Sequence, residues 1–430
     1  MNNIVVIADD LTGAADTGVQ FSPFFEETIL ISYRFVERIL EPTLLSSSRA
    51  TALYTNSRAL AADAANHRLV SVAQRLGEIE ALRIYKKIDS CMRGNVGAES
   101  DALLDQLGYE ASFITPAFPE MGRTTMEDIH RIHGIPLDQT EISQDPVTPV
   151  TESRLTRIVA MQSRYPVGHV GLNLLENSEN RLIEEIERQL LRGIRHIVFD
   201  AANRAHLDRI AQLIFSLQHK VLPVGSAGLA GSIAKLLPAK PISDDPAKNI
   251  RSERFNLLVC GTTSEITRQQ IDKLLESHPY EVNQLPPVML ADQNRRDDFS
   301  KIVASVRSSL SKKNVILTIE AQQNSQSAPR KASLQQFADS IVGGLGLFIA
   351  EVVAATKPGR LFLTGGDTAD AILTAIEAEG IRILGEVVTG VVQGVILGGL
   401  LDDLPVVTKA GAFGQQDTLV VLHEVWKKKV

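Results

Sequence analysis

Two adjacent carboxylates, Asp9 and Asp10, stand directly behind a short apolar run at residues 4–7. The run is rich in β-branched residues, which is typical of a buried strand. Unpaired charge beside a buried segment is costly, so two acids at this position favour a chemical role over a solvated surface turn. Such carboxylates can hold a magnesium ion or accept the proton of a substrate hydroxyl. Asp9 and Asp10 are therefore the candidate catalytic residues, with the solvated turn as the alternative.

The residues after the two acids predict the element that positions them. Thr12 is a candidate helix N-cap, and the small residues 13–15 allow the following helix to pack closely. A strand, an acidic loop and a helix N-terminus together place Asp9 and Asp10 at the carboxyl edge of a parallel sheet. Open α/β sheets bind their ligands at that edge.

Basic residues follow two further predicted strands, at residues 52–56 and 83–88. Arg58 and Arg93 can each hold a carboxylate in a bidentate fork, and Lys87 offers a compact positive charge. Cations at one end and hydrogen-bonding groups along the rest suit a small polyhydroxy acid. The candidate substrate-binding residues are Asp9, Arg58, Lys86, Lys87, Asp89, Ser90 and Arg93. Solvated surface charge is the alternative for about half of them, since Lys and Arg are mostly exposed.

Two local patterns qualify these assignments. Lys86 and Lys87 are neighbours on a strand and point to opposite faces, so at most one of them enters the site by its side chain. His130 and His133 have the i, i+3 spacing of a helix, which can present two ligands to a metal. No further ligands accompany them, so polar packing is favoured. Arg123, in a Pro-framed loop, offers either another anion contact or a purely structural role.

Three loops in the second half of the chain follow predicted strands, at residues 260–265, 361–369 and 409–417. Glycine lets the backbone approach a phosphate closely, and a helix N-terminus supplies donors and a partial positive charge. The candidate cofactor-binding residues are Ser264, Thr364, Gly365, Gly366, Asp367, Gly411, Ala412, Phe413 and Gly414. Asp367 is expected either to coordinate magnesium or to cap the following helix. The Walker pattern G-x-x-x-x-G-K-[ST] does not occur in this sequence.

Strand-like and helix-like patterns alternate along both halves, which predicts βαβ units and a mainly parallel sheet in each. Strands are predicted at residues 4–7, 28–32, 52–56, 83–88, 112–115, 167–172, 196–200, 221–224, 255–260, 314–319, 361–364, 383–388, 391–397 and 406–408. Helices are predicted at residues 61–76, 98–107, 179–192, 205–219 and 334–355. Thr262 and Glu265 have the spacing of a capping box. Residues 321–331 are polar and predict a loop.

The pattern fails where three prolines stand among charged residues, which predicts an interdomain linker at residues 238–253. A chain of 430 residues is too long for one core, so two domains are expected. The predicted fold class is α/β, with domains at residues 1–237 and 254–430. Each domain has a mainly parallel sheet flanked by helices, and the ligand cleft is expected between them.

Composition limits the class of partner and the compartment. A net charge of −7 argues against broad binding to nucleic acid or an anionic membrane. The two cysteines, Cys91 and Cys260, are far apart and provide neither a disulfide framework nor a zinc spacing. The N-terminus shows no signal-peptide pattern, and the apolar run at residues 387–401 is too short and interrupted to span a bilayer. A cytoplasmic protein is expected.

Several of these segments resemble the signatures of one known family. The segments are IADDLTGAAD, KKIDSCMRGN, PAFPEMGRT, GSAGLA, TGGDTA and KAGAFG. The segments, in this order, resemble the four-carbon acid sugar kinase family over a stretch that runs from Ile4 to Asp417. The similarity covers separate segments in family order, which makes it far more specific than any single motif.

The resemblance implies an ATP-dependent kinase that phosphorylates the terminal 4-hydroxyl of a four-carbon sugar acid with Mg²⁺. It implies a substrate-binding domain at residues 1–237 and an ATP-binding domain at residues 254–430. D-Threonate is the expected substrate, and D-erythronate, 3-oxo-tetronate and 4-hydroxythreonate are the alternatives. The expected partners are the sugar acid and ATP, with no nucleic acid and no membrane, and a homodimer is left open.

Two other classes remain as rivals. An aspartate-nucleophile phosphatase also begins with a strand followed by acids, but its two aspartates are separated by one residue, whereas Asp9 and Asp10 are adjacent. A two-lobed binding protein would close around a small acid without needing glycine loops for ATP. The sequence leaves open which aspartate is the general base and which stereochemistry the substrate has.

Overall fold

Buried apolar runs form the strands in both halves of the chain, as in Ile4–Ala8, where every residue is buried. The computed structural model describes residues 3–39, 48–78, 82–145, 147–238, 254–262, 264–292, 296–320, 331–411 and 413–428. The chain divides into a first unit, Met1–Pro241, and a second unit, Ile242–Val430. The predicted linker beyond Pro238, the polar segment at 321–330 and Ala412 lie outside the described residues.

The main sheet of the first unit is entirely parallel. Its strands are β1 (Ile4–Ala8), β2 (Glu27–Ser32), β3 (Arg49–Tyr54), β4 (Arg83–Lys87), β5 (Ala111–Thr115), β9 (Val167–Val170), β10 (His196–Phe199) and β11 (Val221–Gly225). They lie in the order β2-β3-β1-β4-β11-β5-β10-β9. Parallel pairing requires crossover connections, and the helices between the strands supply them. The central strand β1 has β3 on one side and β4 on the other, so the loops after these three strands are neighbours.

Four of the helices described in the first unit, at residues 62–76, 96–107, 179–191 and 204–216, agree with the predicted periodicity to within a few residues. The described helices of this unit are α1 (Leu11–Phe21), α2 (Val36–Ile39), α3 (Ala62–Leu76), α4 (Val96–Leu107), α5 (Leu155–Ala160), α6 (Leu172–Leu175), α7 (Glu179–Leu191), α8 (Arg204–Ser216) and α9 (Ala227–Ala234). Helix α1 is buried along almost its whole length, because its small residues allow it to lie against the sheet.

A small antiparallel sheet in the first unit was not predicted. It consists of β6 (Arg123–Met126), β7 (Ile129–Ile132) and β8 (Ile135–Pro136). His130 lies on β7 and His133 in the turn after it, so the helical spacing of the two histidines was a wrong prediction. The turn at Glu127 and Asp128 has φ values of 55° and 66°, a left-handed conformation typical of tight hairpins.

The second unit has a sheet in the order β13-β14-β12-β15-β18-β17-β16. The strands are β12 (Leu257–Cys260), β13 (Tyr280–Leu285), β14 (Asn314–Ile319), β15 (Leu361–Thr364), β16 (Gly380–Val388), β17 (Val391–Leu397) and β18 (Pro405–Lys409). The neighbouring strands in β13-β14-β12-β15-β18 are parallel. Strand β17 pairs with β18 and with β16 in antiparallel fashion. The mainly parallel α/β fold predicted for both halves is confirmed. The expected cleft between the domains concerns their relative placement and stays a prediction.

The helices of the second unit alternate with most of its strands along the chain. They are α10 (Glu265–Ser277), α11 (Pro287–Ala291), α12 (Arg296–Leu310), α13 (Lys331–Ala355), α14 (Gly366–Ala375) and α15 (Thr418–Lys428). By length and composition one segment of α13, Gln336–Ala355, is apolar enough to cross a membrane, a test that buried core helices also pass. In this unit α13 packs against α11 and α14.

Candidate functional site

The loops after β1, β3 and β4 meet at one edge of the first sheet. Ala8, the last residue of β1, pairs in register with Tyr54 of β3 and with Lys87 of β4. The chain therefore leaves the three strands at the same level, and the residues that follow come together. The sequence placed Asp9, Arg58 and the segment after Lys87 at this edge, and the structure brings them into contact.

Asp10 is the N-cap of α1. Its Oδ1 atom accepts a hydrogen bond of 3.0 Å from the Gly13 backbone N–H, and its Oδ2 atom accepts one of 2.7 Å from the Thr12 hydroxyl. The prediction of Thr12 as the cap was wrong by two residues. An aspartate caps as well as a threonine, and the loop after β1 brings its carboxylate to the free N–H groups first.

Arg58 joins the two acids. Its Nε and Nη2 atoms donate to the two carboxylate oxygens of Asp9 at 2.7 and 2.9 Å, and Nη2 also donates to Asp10 at 2.7 Å. Burial alone would raise the pKa of Asp9, but Arg58, with Lys86 and Lys87 nearby, outweighs it and holds that pKa below its usual value. Asp9 is thus an ionised carboxylate committed to Arg58, and Asp10 is the more exposed of the two, at 13% against 4% of the side chain.

Arg93 is occupied in the same way. It donates to the two oxygens of Asp89 at 2.8 and 3.3 Å, and it lies 3.3 Å from Asp145. Burial would raise the pKa of Asp89, but Arg93 and Arg58 outweigh it and hold that pKa far below its usual value. Both guanidinium groups expected to grip a ligand carboxylate therefore already pair with carboxylates of the protein.

Lys87 differs from these arginines because its charge attracts Asp9 and Asp89 without a hydrogen bond or a close ion pair to either. It is 4% exposed, and no described residue forms a hydrogen bond or ion pair with its ammonium group. A Cβ atom at Gly13 would lie 2.8 Å from the Lys87 Nζ atom, so the ammonium lies directly over the first turn of α1. A largely buried ammonium group that donates no hydrogen bond to a described residue still has its donors to offer, which marks this position as one where an anion is expected.

Lys86 points away from this site, and its assignment as a ligand-binding residue is corrected. It is fully buried, and its Nζ atom lies 2.6 Å from Glu99 of α4. Glu99 also accepts a hydrogen bond of 2.5 Å from the Ser57 hydroxyl. The alternation along β4 sends the two neighbouring lysines to opposite faces, as the sequence predicted, and the acid on α4 decides which one is structural.

The loop of residues 89–95 packs closely against the loop after β3. Gly94 has φ of +91°, and a Cβ atom there would lie 3.0 Å from the Asp9 carboxylate. Asn95 donates to the carbonyl oxygens of Ser57 and Leu60 at 3.0 and 2.9 Å. This motif therefore holds the loop after β3 against the loop after β4, which explains why glycine and asparagine occur together here.

His130 contacts the same loop, residues 89–95, through a hydrogen bond to Ser90. Its Nε2 atom lies 2.8 Å from the Ser90 carbonyl oxygen, and its Nδ1 atom lies 2.8 Å from the Thr125 hydroxyl. A carbonyl only accepts, so Nε2 carries the proton and Nδ1 accepts from Thr125. Burial lowers the pKa of His130 to about 4. The histidine is a neutral packing residue with both nitrogens occupied, in agreement with the polar-packing interpretation.

A second site is built by three neighbouring parallel strands of the second unit. Cys260, Thr364 and Lys409 end β12, β15 and β18 in one register. The three glycine-containing loops predicted from the sequence leave the sheet there, side by side. We call them, with residues 261–264, 365–368 and 410–414, the glycine loops.

The glycine loops touch one another through small residues. A Cβ atom at Gly261 would overlap the Thr368 side chain, and one at Gly411 would lie 2.6 Å from the Thr262 hydroxyl. Gly365 has φ of +99°, a conformation that other residues rarely adopt. Close approach of these backbones is therefore the reason for glycine at these positions.

The predicted capping box is not formed. Ser264 is the N-cap of α10 without a side-chain bond, and the Thr262 hydroxyl accepts from the Ser264 backbone N–H at 3.2 Å. Glu265 pairs with Arg268 instead. Asp367 does not cap α14 either, because Gly365 is the N-cap; its carboxylate is exposed on the first turn.

Lys409 is a residue that the sequence reasoning left inside a motif without a role. It is 1% exposed, and its Nζ atom lies within 3.0–3.2 Å of the carbonyl oxygens of Ala410, Gly411 and Phe413 and of the Thr267 hydroxyl. Burial lowers its pKa to about 8. A single ammonium group thus binds the carbonyl oxygens of residues 410, 411 and 413 together, which no local sequence pattern signals.

The fourth glycine motif, GSAGLA, belongs to the first unit and has a packing role. Ser226 caps α9, and its hydroxyl donates to the Ala117 carbonyl oxygen at 2.7 Å. A Cβ atom at Gly228 would lie 2.6 Å from that same oxygen. The motif therefore fixes the Pro-framed loop rather than offering a phosphate site.

Comparisons with known proteins assign a different kind of domain to each of the two units. A family model of a sugar-binding N-terminal domain matches residues 4–233, and one of a nucleotide-binding C-terminal domain matches residues 257–419. A D-threonate kinase of Salmonella typhimurium is 34% identical over 97% of this chain and 96% of that protein. A D-erythronate kinase of Heliobacterium modesticaldum is 30% identical over 97% and 95%. A crystal structure of a Haemophilus influenzae protein has the same fold, with a TM-score of 0.69 at 22% identity over 98% of this chain and 100% of that one.

Proposed function

Because the chain belongs to the four-carbon acid sugar kinase family, we propose that it transfers the γ-phosphoryl group of ATP to the 4-hydroxyl of D-threonate, giving 4-phospho-D-threonate. Two D-threonate kinases, at 34% and 31% identity, support this substrate. D-Erythronate, 3-oxo-tetronate and 4-hydroxythreonate are the alternatives, since kinases of the first two acids are also similar to the chain.

The ammonium group of Lys87, which forms no hydrogen bond with a described residue, carries this proposal. Arg58 and Arg93 are neutralised by Asp9, Asp10, Asp89 and Asp145. Lys87 is then the buried cation of this cluster that an incoming carboxylate can pair with. A small sugar acid supplies that carboxylate, and its hydroxyls suit the surrounding carboxylate acceptors. We assign Lys87 to the substrate carboxylate, with Asp89 and Ser90 toward the hydroxyls.

Asp10 is our candidate for the general base. Its carboxylate is more exposed than that of Asp9 and accepts one hydrogen bond from Arg58, whereas both oxygens of Asp9 accept from Arg58. In the proposed step the 4-hydroxyl oxygen forms a bond to the γ-phosphorus of ATP, and the bond from that phosphorus to the bridging oxygen breaks. The hydroxyl proton passes to Asp10, and ADP leaves.

The glycine loops are the proposed ATP site. Their backbones approach one another closely at the N-termini of α10 and α14, where N–H groups and helix dipoles favour phosphate. Thr364 has a buried hydroxyl without a hydrogen-bond partner among the described residues, and it adds a donor. We assign Ser264, Thr364–Asp367, Gly411, Phe413 and Gly414 to the nucleotide; Ala412 stays a prediction.

The donor set at the glycine loops fits Mg²⁺. Asp367 offers an exposed carboxylate on the first turn of α14, and this ion commonly takes one or two carboxylates together with phosphate oxygens and water. The ion would neutralise negative charge on the ATP phosphates. We place the reaction in the cytoplasm, where ATP is available; a homodimer stays a prediction.

Replacing Lys409 by Met is expected to raise the KM for ATP by tenfold or more while changing the KM for the sugar acid little. The substitution leaves the carbonyls of residues 410, 411 and 413 without their shared donor, so the loop loses the conformation proposed to hold the nucleotide. Initial rates at varied ATP and varied acid separate the two KM values. Lys427→Met, on the surface of the same unit, is the control, and an unchanged KM for ATP in a folded Lys409→Met protein would contradict this role.

A coupled ADP-release screen tests the function itself. The acids are D- and L-threonate, D- and L-erythronate, 3-oxo-tetronate and 4-hydroxythreonate, each with MgATP, and ATP alone gives the background hydrolysis rate. We expect the highest kcat/KM with D-threonate. In proton-coupled ³¹P NMR, a phosphate on the terminal carbon couples to two protons and gives a triplet, whereas a phosphate on C2 or C3 gives a doublet.

The screen also separates the rivals. Turnover that is fastest with another four-carbon acid would transfer the assignment to that acid within the same family. No ADP release with any of them would refute the proposed substrate class. Phosphate release from 4-phospho-D-threonate without a nucleotide would favour a phosphatase instead.

A further inference from the structure

Two histidines and a glutamate cluster at the end of the second unit that is opposite to the glycine loops along α10 and α15. His278 is the C-cap of α10, just before β13 begins at Tyr280. His423 and Glu424 lie in the second half of α15. One ligating atom from each of the three residues lies within 4.8 Å of those of the other two.

His423 has a free nitrogen in this cluster. Its Nδ1 atom lies 2.7 Å from the Tyr280 hydroxyl, and its Nε2 atom is buried without a hydrogen-bond partner in the described part of the chain. The residue is 7% exposed, so water does not easily satisfy that nitrogen. For Nε2 to bind a cation, Nδ1 carries the ring proton and donates it to the Tyr280 oxygen. A buried polar atom without a partner calls for a ligand or an ion.

The other two donors have the spacing of a coordination edge. His278 Nε2 lies 3.2 Å from Glu424 Oε1. Two ligands at bond lengths of about 2.0–2.1 Å around a tetrahedral Zn²⁺ are roughly 3.3 Å apart. The two imidazole rings are stacked, with centroids 3.9 Å apart and planes inclined by 23°. The stacking therefore holds the His423 ring beside His278, whose Nε2 atom contacts the Glu424 carboxylate.

We propose that His278, His423 and Glu424 form a binding site for a Zn²⁺-class divalent cation, with water as the remaining ligand. Two imidazoles and one carboxylate form a common zinc donor set, and imidazole selects Zn²⁺, Ni²⁺ or Cu²⁺ over Mg²⁺. The Tyr280 hydroxyl, bonded to Nδ1 of His423, orients that ring as an outer-shell partner. The site is separate from the proposed Mg²⁺ position at Asp367, and the inference does not depend on the proposed kinase function.

Lys427 is the group that opposes cation binding. Its Nζ atom lies 3.6 Å from Glu424 Oε1, one turn further along α15. An ammonium group so close to the site repels a second cation and competes for the carboxylate. Removing it is therefore expected to tighten metal binding, an effect opposite to that of removing a ligand.

The cation would join the C-terminal ends of α10 and α15, which pack against each other. Both helices begin at the glycine loops, after residues 264 and 417. A bound metal would hold the far ends of the two helices together. The bound cation would thus restrict the relative movement of α10 and α15, the helices that follow two of the glycine loops.

Calorimetric titration of the EDTA-treated full chain with ZnCl₂ tests the site, in buffer without nucleotide. We expect one equivalent to bind, with affinity reduced at least tenfold in Glu424→Gln and the equivalent lost in His423→Ala. Lys427→Ala should bind Zn²⁺ a fewfold more tightly. His219→Ala is the matched control, because His219 also contacts two glutamates, Glu110 and Glu187, outside this cluster.

Trp426, the single tryptophan of the chain, gives a second readout because it lies on α15 beside the cluster. Its fluorescence should fall on addition of NiCl₂ in the wild-type protein and stay unchanged in His423→Ala. Equal Zn²⁺ binding by the wild-type protein and His423→Ala, or no binding by the wild-type protein, would overturn the proposal. If His423→Ala does not fold, His278→Gln takes its place and must show the same loss.

Discussion

Replacing Asp10 by Asn is expected to lower kcat by about 10²–10⁴-fold, the usual contribution of a general base, while the chain stays folded. Asparagine is as good a helix N-cap as aspartate, and its amide oxygen can still accept from the Gly13 N–H. What the substitution removes is the charge that would accept the hydroxyl proton, together with the ion pair of Asp10 with Arg58. The KM values for ATP and for D-threonate should change much less than kcat.

The measurement is steady-state ADP release at saturating ATP and sugar acid, with the thermal unfolding midpoint recorded for each variant. Asp9→Asn is the informative comparison, because it removes a carboxylate that accepts two hydrogen bonds from Arg58 in a buried position. We expect Asp9→Asn to lower the unfolding midpoint as well as the activity. Near-normal kcat in a folded Asp10→Asn protein would exclude Asp10 as the base and leave Asp9 as the candidate.

The parallel strands could be predicted because their burial leaves a local signal. Ile4–Ala8 and Leu361–Thr364 are buried on both faces and appear in the sequence as continuous apolar runs. By contrast, β13 has the sequence YEVNQL and lies at the edge of its sheet, half exposed, so nothing in its composition distinguishes it from a loop. The hairpin of β6 and β7 was missed for another reason, since its turn is made by Glu127 and Asp128 without a glycine.

The site residues were predicted as a set, but their pairing was not. Motif and strand ends placed Asp9, Arg58 and Arg93 at one edge, because parallel strands end together. Which basic side chain forms no close ion pair with the protein depends on acids far along the chain. Asp145, for example, lies 52 residues from Arg93. Spacing along the chain carries no information about such a partner. The same holds for Lys409, whose acceptors are defined only once the loop of residues 410–414 is folded.

The neighbouring lysines of β4 should respond differently to the same substitution. Lys86→Met leaves Glu99 buried without its cation and is expected to lower the free energy of unfolding by about 3–5 kcal/mol. Lys87→Met removes a buried ammonium that forms no hydrogen bond or close ion pair but attracts Asp9 and Asp89, so it should change the free energy of unfolding far less than Lys86→Met. Denaturant unfolding of the two variants beside the wild-type protein measures this difference directly.

The catalytic activity of the two variants should differ in the opposite sense, with the larger loss in Lys87→Met. If Lys87 holds the sugar-acid carboxylate, Lys87→Met should lower kcat/KM for D-threonate by about 10²–10³-fold, since losing one partner of a desolvated ion pair costs several kcal/mol. The KM for ATP should hardly change. Lys86→Met, assayed well below its unfolding midpoint, should lose far less, because its side chain faces Glu99 and not the ligand edge. A Lys87→Met protein with wild-type kcat/KM would remove this lysine from substrate binding, and equal losses in both variants would mean that β4 acts only through its packing.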